Sequence, residues 1–387
     1  MTANLVDSVR QRLAGVGTQV TAAVVAEAVR AEASGVVGDA DILDALRLLQ
    51  REFVGAGPLE SLLRDPNTTD VLVSGPSEVW VDGADGLRRT EITFPDEGAV
   101  RRLAQRLALA AGRRLDDAVP YVDGWLPGSG PLGRVRLHAV LQPIAAGGTC
   151  LSLRVLRPAA HDLTTLRELG TVDQRGERLL RAIVAARLAF LVTGGTGSGK
   201  TTLLAALLGC VAPAERIVCV EDVGELQPDH PQFVRLLARP ANTEGAGAVN
   251  VRELVRQALR MRPDRLVVGE MRDAEVSELL AALNTGHDGG AGTVHANSPA
   301  EVPARMEALG ALGGLSRSAL HSQLAAAVQV VLHMRRDASG RRLAEVGVLQ
   351  RTTDMVQVVP VWCAGDRLAE RSMLTELLER GGVRDPW

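Results

Sequence analysis

The chain has 387 residues, a formal net charge of −3, 46% hydrophobic and 23% charged residues, and a pI near 6.2. That balance is ordinary for a soluble globular protein of about two to three domains, and it carries no global nucleic-acid footprint. Four scattered cysteines with no C-x-x-C pair suggest neither a disulfide framework nor a zinc module and fit a reducing compartment. No run of about 18 apolar residues offers a membrane span.

Residues 1–57 read as helical. Val20, Val24, Ala28 and Ala31 recur at helical spacing, as do Ile42, Leu43, Leu46 and Leu49, and Gly55-Ala56-Gly57-Pro58 ends the segment. Its first 30 residues interleave charges with alanine and valine, without a signal-peptide core. From residue 58 the pattern changes to short strands. Asp70–Val73 and Glu78–Val81 flank the turn Ser74-Gly75-Pro76-Ser77, and Leu87–Phe94 reads as a third strand. Glu97–Ala111 reads as a helix, and Arg134–Val140 and Cys150–Leu156 alternate as strands. These features predict a small α+β (PAS-like) domain over 58–158, followed by a linker, 159–170. Four Phe, four Trp and one Tyr leave little for a base-stacking platform.

The remainder, 171–387, alternates strands and helices, closing with C-terminal helices and strands. Ala189–Thr193 is a buried strand and Thr201–Leu208 a helix closed by Gly209. The strand Arg216–Val220, a helix carrying Val251, Leu254, Val255, Ala258 and Leu259, the strand Arg265–Gly269, the helix Ala274–Leu283 and the strand Ala291–Val294 follow. Such alternation predicts a mostly parallel sheet covered on both faces.

Between the first strand and helix lies Gly194-Gly195-Thr196-Gly197-Ser198-Gly199-Lys200-Thr201, a complete P-loop motif. Of the chain's 43 basic residues, Lys200 alone is lysine. A compact ammonium fits a tight loop of backbone N–H groups where a planar guanidinium does not. GC-rich coding bias explains why lysine is scarce, but not why the survivor stands here. Strand, glycine loop and helix N-terminus aim their amides at phosphates. Lys200 reaches the β/γ-phosphates, and the Thr201 hydroxyl binds Mg²⁺. Gly194, Gly195, Thr196, Gly197, Ser198, Gly199, Lys200, Thr201 and Thr202 are therefore the candidate ATP-binding residues.

Three polar clusters follow later strands, where open α/β sheets bind ligands. They are Glu221-Asp222 with Glu225 nearby, Glu270 with Arg272 and Asp273, and the run from Gly286 to His295, which holds His287. A carboxylate at such a place organises metal or positions the attacking water. Singly, Glu221-Asp222 also reads as a cap and the histidines as loop or core residues; jointly, on successive strands, they read as a site.

With these motifs quoted, the chain resembles the type II/IV secretion ATPase superfamily. That superfamily powers type II secretion, type IV pili, tight-adherence pili and type IV secretion. The Walker A box is Gly194–Thr201, the Asp box Val220–Leu226, the Walker B box Leu266–Asp273 and the His box Thr285–Asn297. Arg262-Pro263-Asp264 and Asn284–Gly289 look most like the tight-adherence branch.

The resemblance implies a RecA-like P-loop ATPase domain behind a smaller α+β domain. It also implies a homohexamer, ATP and Mg²⁺ as ligands, and a cytoplasmic location at the cytoplasmic membrane beside a platform protein; the pI and the few aromatics, for their part, lead us to expect no direct nucleic-acid partner. Glu270 is implied as general base and Glu221 as metal or water organiser, though which does which stays open. His287 and His295 are implied in the site. Arg136 and Arg154 are implied as arginines that reach the phosphates, in some members across a subunit interface. Gly269 stands where most Walker B boxes carry aspartate. The segment 1–57 is left as a partner surface or a hexamer arm. A DNA-transfer motor of the conjugation branch, or an ATP-gated regulator with little turnover, are the alternatives.

Overall fold

The chain's internal contacts divide it into two compact units, Met1–Arg157 and Pro158–Trp387. The computed structural model describes residues 8–9, 12, 22–33, 42, 55–83, 86–126, 134–156, 161–239, 241, 246–337, 340–353, 355–364 and 371–384.

In the first unit, helix α1 (Ala22–Glu32) buries Val25, Ala28 and Val29. Most of the helical reading over 1–57 lies outside the described residues. A short helix α2 (Glu60–Arg64) leads into β1 (Thr68–Ser74), β2 (Val79–Gly83) and β3 (Arg88–Arg89). The third strand expected over 87–94 thus shrinks to two residues. Helix α3 (Glu97–Ala110) starts at Asp96, whose carboxylate accepts from Ala99 N at 2.7 Å, a cap worth about 1 kcal/mol. It precedes β4 (Tyr121–Leu126), β5 (Arg134–Val140) and β6 (Cys150–Leu156).

All six strands pair antiparallel in the order β3-β2-β1-β6-β5-β4. β5 and β6 alternate buried and accessible residues, as period-two geometry requires. The buried face (Val71, Leu137, Leu153 and neighbours) packs on Val100, Leu103, Ala104 and Leu107 of α3. Strand β4 carries Gly124, an exposed Tyr121 and a half-buried Trp125, so no clean apolar alternation announces it.

The second unit opens with α4 (Leu163–Glu168), inside the stretch read as a linker; its Leu163 and Leu166 are buried in the core. Then come α5 (Gln174–Ala185), β7 (Phe190–Thr193), α6 (Lys200–Leu208), β8 (Ile217–Glu221), β9 (Phe233–Leu237), α7 (Val251–Ala258), β10 (Arg265–Met271), α8 (Val276–Leu283) and β11 (Ala291–Val294). Helices α9 (Val302–Leu312) and α10 (Arg317–Ala327) follow. β12 (Val330–Asp337), β13 (Gly340–Arg351), β14 (Val356–Cys363) and α11 (Arg371–Arg380) complete the unit.

The sheet order is β14-β13-β12-β7-β11-β10-β8-β9. β9 through β12 in that row are parallel; β13 and β14 add an antiparallel end. Strands β7, β8 and β11 are buried throughout. Alternate residues feed two cores. Phe190, Val192 and Cys219 meet α4, α5, α6 and α11. Leu191, Val218 and Val220 meet α7, α8, α9 and α10. The result is a three-layer unit whose parallel strands end along one rim.

Candidate functional site: a phosphate loop and the strand ends beside it

The loop after β7 is built on glycine. Gly194, Gly197 and Gly199 have φ of 144°, 69° and 94°, a region that side chains other than glycine's rarely enter. A Cβ on Gly194 would lie 2.3 Å from Met334 O. The crown, Gly195 to Gly197, is exposed, while Ser198 and Lys200 are buried. Helix α6 begins at Lys200, with Thr201 and Thr202 in its first turn. Its free amides and dipole therefore face whatever the loop encloses.

Lys200 Nζ donates to Gly194 O at 3.0 Å and to Gly195 O at 2.8 Å, folding the side chain over the loop. Burial lowers its pKa, and the fields of Glu270 and Glu225 pull it back. Glu270, near the end of β10, carries two partners. Arg272 donates to one carboxylate oxygen, and His295 Nε2 lies 2.8 Å from the other. Burial and the Lys200 charge hold the His295 imidazole below its ordinary pKa, against the pull of Glu270. Gly194, Gly195, His295, Ala296 and Asn297 line a groove of about 520 Å³.

The Asp box holds its two glutamates in different surroundings. Glu221 is 3% exposed. Its Oε1 accepts from Glu225 N and Leu226 N, both at 2.9 Å, and its Oε2 lies 3.3 Å from Arg235 Nε. Burial pushes its pKa to about 7, against the two backbone N–H groups and Arg235. It ties down the loop after β8. Glu225, which that loop carries, reaches the P-loop helix: Thr201 Oγ1 donates to Glu225 Oε2 at 3.3 Å. The sequence pointed to Glu225 only by its place four residues after Glu221. Glycine at 269 also has a cause. A Cβ there would come 2.6 Å from Glu221 Cγ, so the β8 glutamate fills the space beside β10. Thr293 Oγ1, from the His box, donates to Gly269 O at 2.7 Å.

Thus Lys200, Thr201, Glu225, Glu270 and His295 gather where the parallel strands end. His287 is absent from the groove lining; its Nδ1 lies 3.1 Å from Ala282 O at the end of α8. Arg136 and Arg154 belong to the first unit. They are direct cross-strand partners on β5 and β6. Arg136 binds Asp123 through two bonds of 2.9 and 2.7 Å, and Arg154 Nε binds Asp70 at 2.8 Å. Burial raises the Asp123 pKa, but the Arg136 bond and charge outweigh it and leave it below the ordinary carboxylate range.

The residues fit a magnesium nucleotide. A hydroxyl and two carboxylates are hard oxygen donors, and Mg²⁺ is ordinarily held by one or two carboxylates together with substrate phosphates and water. Among the described residues no His, Cys, Asp and Glu group could hold a metal ion by itself. No helix among them is long and apolar enough to cross a membrane.

A family model described as "Type II/IV secretion system protein" matches residues 52–383. A putative conjugal transfer protein of Mycobacterium tuberculosis is 68% identical over 330 residues, 85% of this chain and 94% of the relative. Protein VirB11 of Agrobacterium fabrum is 30% identical over 355 residues, 84% of this chain and 96% of the relative. Among solved structures, the pilus retraction motor PilT with bound ADP aligns at a TM-score of 0.51 and 23% identity, over 74% of this chain and 80% of that one. That likeness concerns the fold, a RecA-like α/β architecture.

Proposed function

The chain belongs to the type II/IV secretion system protein family, and from that premise we propose that it is a Mg²⁺-dependent ATPase motor of a secretion or pilus-assembly machine. It works as a homohexamer in the cytoplasm, against a platform protein of the cytoplasmic membrane. The observation that carries the reading is Lys200: buried, folded over its own glycine loop, and within the fields of Glu270 and Glu225.

The loop amides and Lys200 bind the phosphate tail. Glu270, oriented by Arg272 and His295, takes a proton from water. The water oxygen attacks the γ-phosphorus, and the bond to the β,γ-bridging oxygen breaks, giving ADP and phosphate. Thr201 and Glu225 hold the side of the site suited to Mg²⁺, which when bound neutralises charge on the phosphates. Glu221 keeps Glu225 in place.

Within the family, the tight-adherence pilus branch is the reading we favour, on Arg262-Pro263-Asp264 and Asn284–Gly289. The M. tuberculosis relative's printed name supports a second reading, a DNA-transfer motor. The net charge of −3 and the scarcity of aromatics weigh against direct DNA handling.

The test is hydrolysis by the purified protein. Lys200→Arg keeps charge but not shape, and is expected to be nearly as damaging as Lys200→Ala. Near-normal turnover in Lys200→Arg would sink the phosphate assignment.

A further inference from the structure

The phosphate loop leans on a hairpin to which the hydrolytic reading gives no role. β12 and β13 pair antiparallel, with Arg335 opposite Arg342, Arg336 opposite Arg341 and Asp337 opposite Gly340. Four arginines thus occupy two adjacent rungs. Like charges directly across a ladder are unfavourable unless something compensates them. Asp337, the carboxylate beside the turn, pairs with Arg342 at 3.0 Å. Strand alternation puts Arg335 and Arg342 on one face and Arg336 and Arg341 on the other.

The second pair meets the P-loop. Arg341 Nε donates to Gly197 O at 2.9 Å. Arg336 Nη1 lies 3.3 Å from where a Cβ on Gly197 would sit, and Arg341 Cδ 3.3 Å from the same point on Gly199. All three left-handed glycines of the motif therefore abut this hairpin, Gly194 against the backbone of Met334.

A trans peptide points its C=O and N–H in opposite directions. With Gly197 O turned to Arg341, the Ser198 N–H turns away from the hairpin and into the loop, where it makes only a 3.4 Å bond to Gly195 O. So long a bond is readily exchanged for one to a phosphate oxygen.

We propose that Arg341 is a positioning residue for the nucleotide, pinning the Gly197–Ser198 peptide so that the Ser198 N–H meets a phosphate oxygen, and that Arg336 beside it adds charge toward the end of a triphosphate tail. The polyanion then relieves the repulsion of the Arg336–Arg341 rung. The inference rests on the ATPase reading and adds residues to it from an element outside the four motif boxes.

The test uses the full-length protein. Dissociation constants for Mg-ADP and for a non-hydrolysable ATP analogue, together with kcat and KM, are measured for Arg341→Gln, Arg341→Lys, Arg336→Gln and Arg335→Gln. A thermal melt of each variant reports folding. Arg341→Gln is expected to weaken ADP roughly tenfold and raise KM to match, with kcat changed by less than about threefold, the pattern of lost ground-state binding. Arg341→Lys, which keeps a charged donor, is expected to recover most of that loss. Arg336→Gln is expected to weaken the ATP analogue more than ADP. Arg335→Gln, on the other face, is expected to match the parent.

An Arg341→Gln protein that melts, binds ADP and shows a KM like the parent overturns the proposal. So does an Arg335→Gln defect equal to that of Arg341→Gln, since general hairpin packing would then explain both. If Arg341→Gln does not fold, Arg341→Lys carries the comparison: a two- to threefold rise in KM supports the proposal and an unchanged KM overturns it. A parent protein that neither binds nor hydrolyses ATP overturns the ATPase reading and this inference with it.

Discussion

The two sheets bury their strands differently, and that decides where each can carry chemistry. In the second unit β7, β8 and β11 are buried on both faces, so polar side chains have room only where the strands end. Lys200, Glu225, Glu270 and His295 all sit there. In the first unit one sheet face is covered by α3 and the other displays side chains. Arg136 and Arg154 stand side by side on that displayed face. A doubly covered parallel sheet concentrates function on a rim, whereas a half-covered antiparallel sheet spreads it over a surface.

The sharpest way to break this comparison is to ask whether the displayed face matters. Exposed ion pairs such as Arg136–Asp123 and Arg154–Asp70 are worth only about 0–1 kcal/mol. Exchanging the aspartate of either pair for a phosphate therefore forfeits little from that ion pair. Arg154→Ala is expected to lower kcat by on the order of 10³. If the arginine acts across a subunit interface, mixing Arg154→Ala with Lys200→Ala protein should restore some activity through composite sites. Full activity in Arg154→Ala would make the face a solubilising surface and leave all the chemistry to the rim.

The rim itself can be divided. Glu270→Gln is expected to keep ATP binding and to lower kcat by roughly 10² or more. Glu225→Gln is expected to raise the Mg²⁺ concentration needed for half-maximal rate, because Glu225 touches the Thr201 hydroxyl. Titrating Mg²⁺ against rate for both variants checks the division. A Mg²⁺ shift confined to Glu270→Gln would reverse the roles.

The smallest effect concerns Glu221. Its pKa of about 7 stands above the ordinary 4.5, so the folded protein holds this proton more tightly than the unfolded chain does. The stability it contributes is complete below pH 4.5 and is lost as pH rises through about 7, on the order of 3 kcal/mol. Glu221→Gln should abolish that slope. In urea melts the variant should gain roughly 2–3 kcal/mol on the parent between pH 5 and pH 8. An unchanged gap would mean that Glu221 titrates normally.

How much of this was legible in the sequence follows the range of the interactions. The P-loop was readable because its strand, glycines, lysine and helix are contiguous, and the α3 helix because its apolar spacing and Asp96 cap are local. The assignment between Glu221 and Glu225 was not. Four residues separate them, and the path of the loop is set by bonds to Glu221 and by Arg235 from the neighbouring strand. His287 looked like its partner His295 because both lie among glycines, yet it bonds the helix end before it. The arginine hairpin was hidden for the opposite reason: in a chain so rich in arginine, four more near a turn carry no signal until strand pairing sets two of them on the loop.

The contact between Gly269 and Glu221 also constrains how the site could change over generations. Placing an aspartate at 269 first drives its Cβ into the Glu221 side chain. Removing Glu221 first leaves Glu225 N and Leu226 N without their acceptor and a hole beside β10. Each single change carries a cost set by the residue at the other position, so the two positions are energetically coupled.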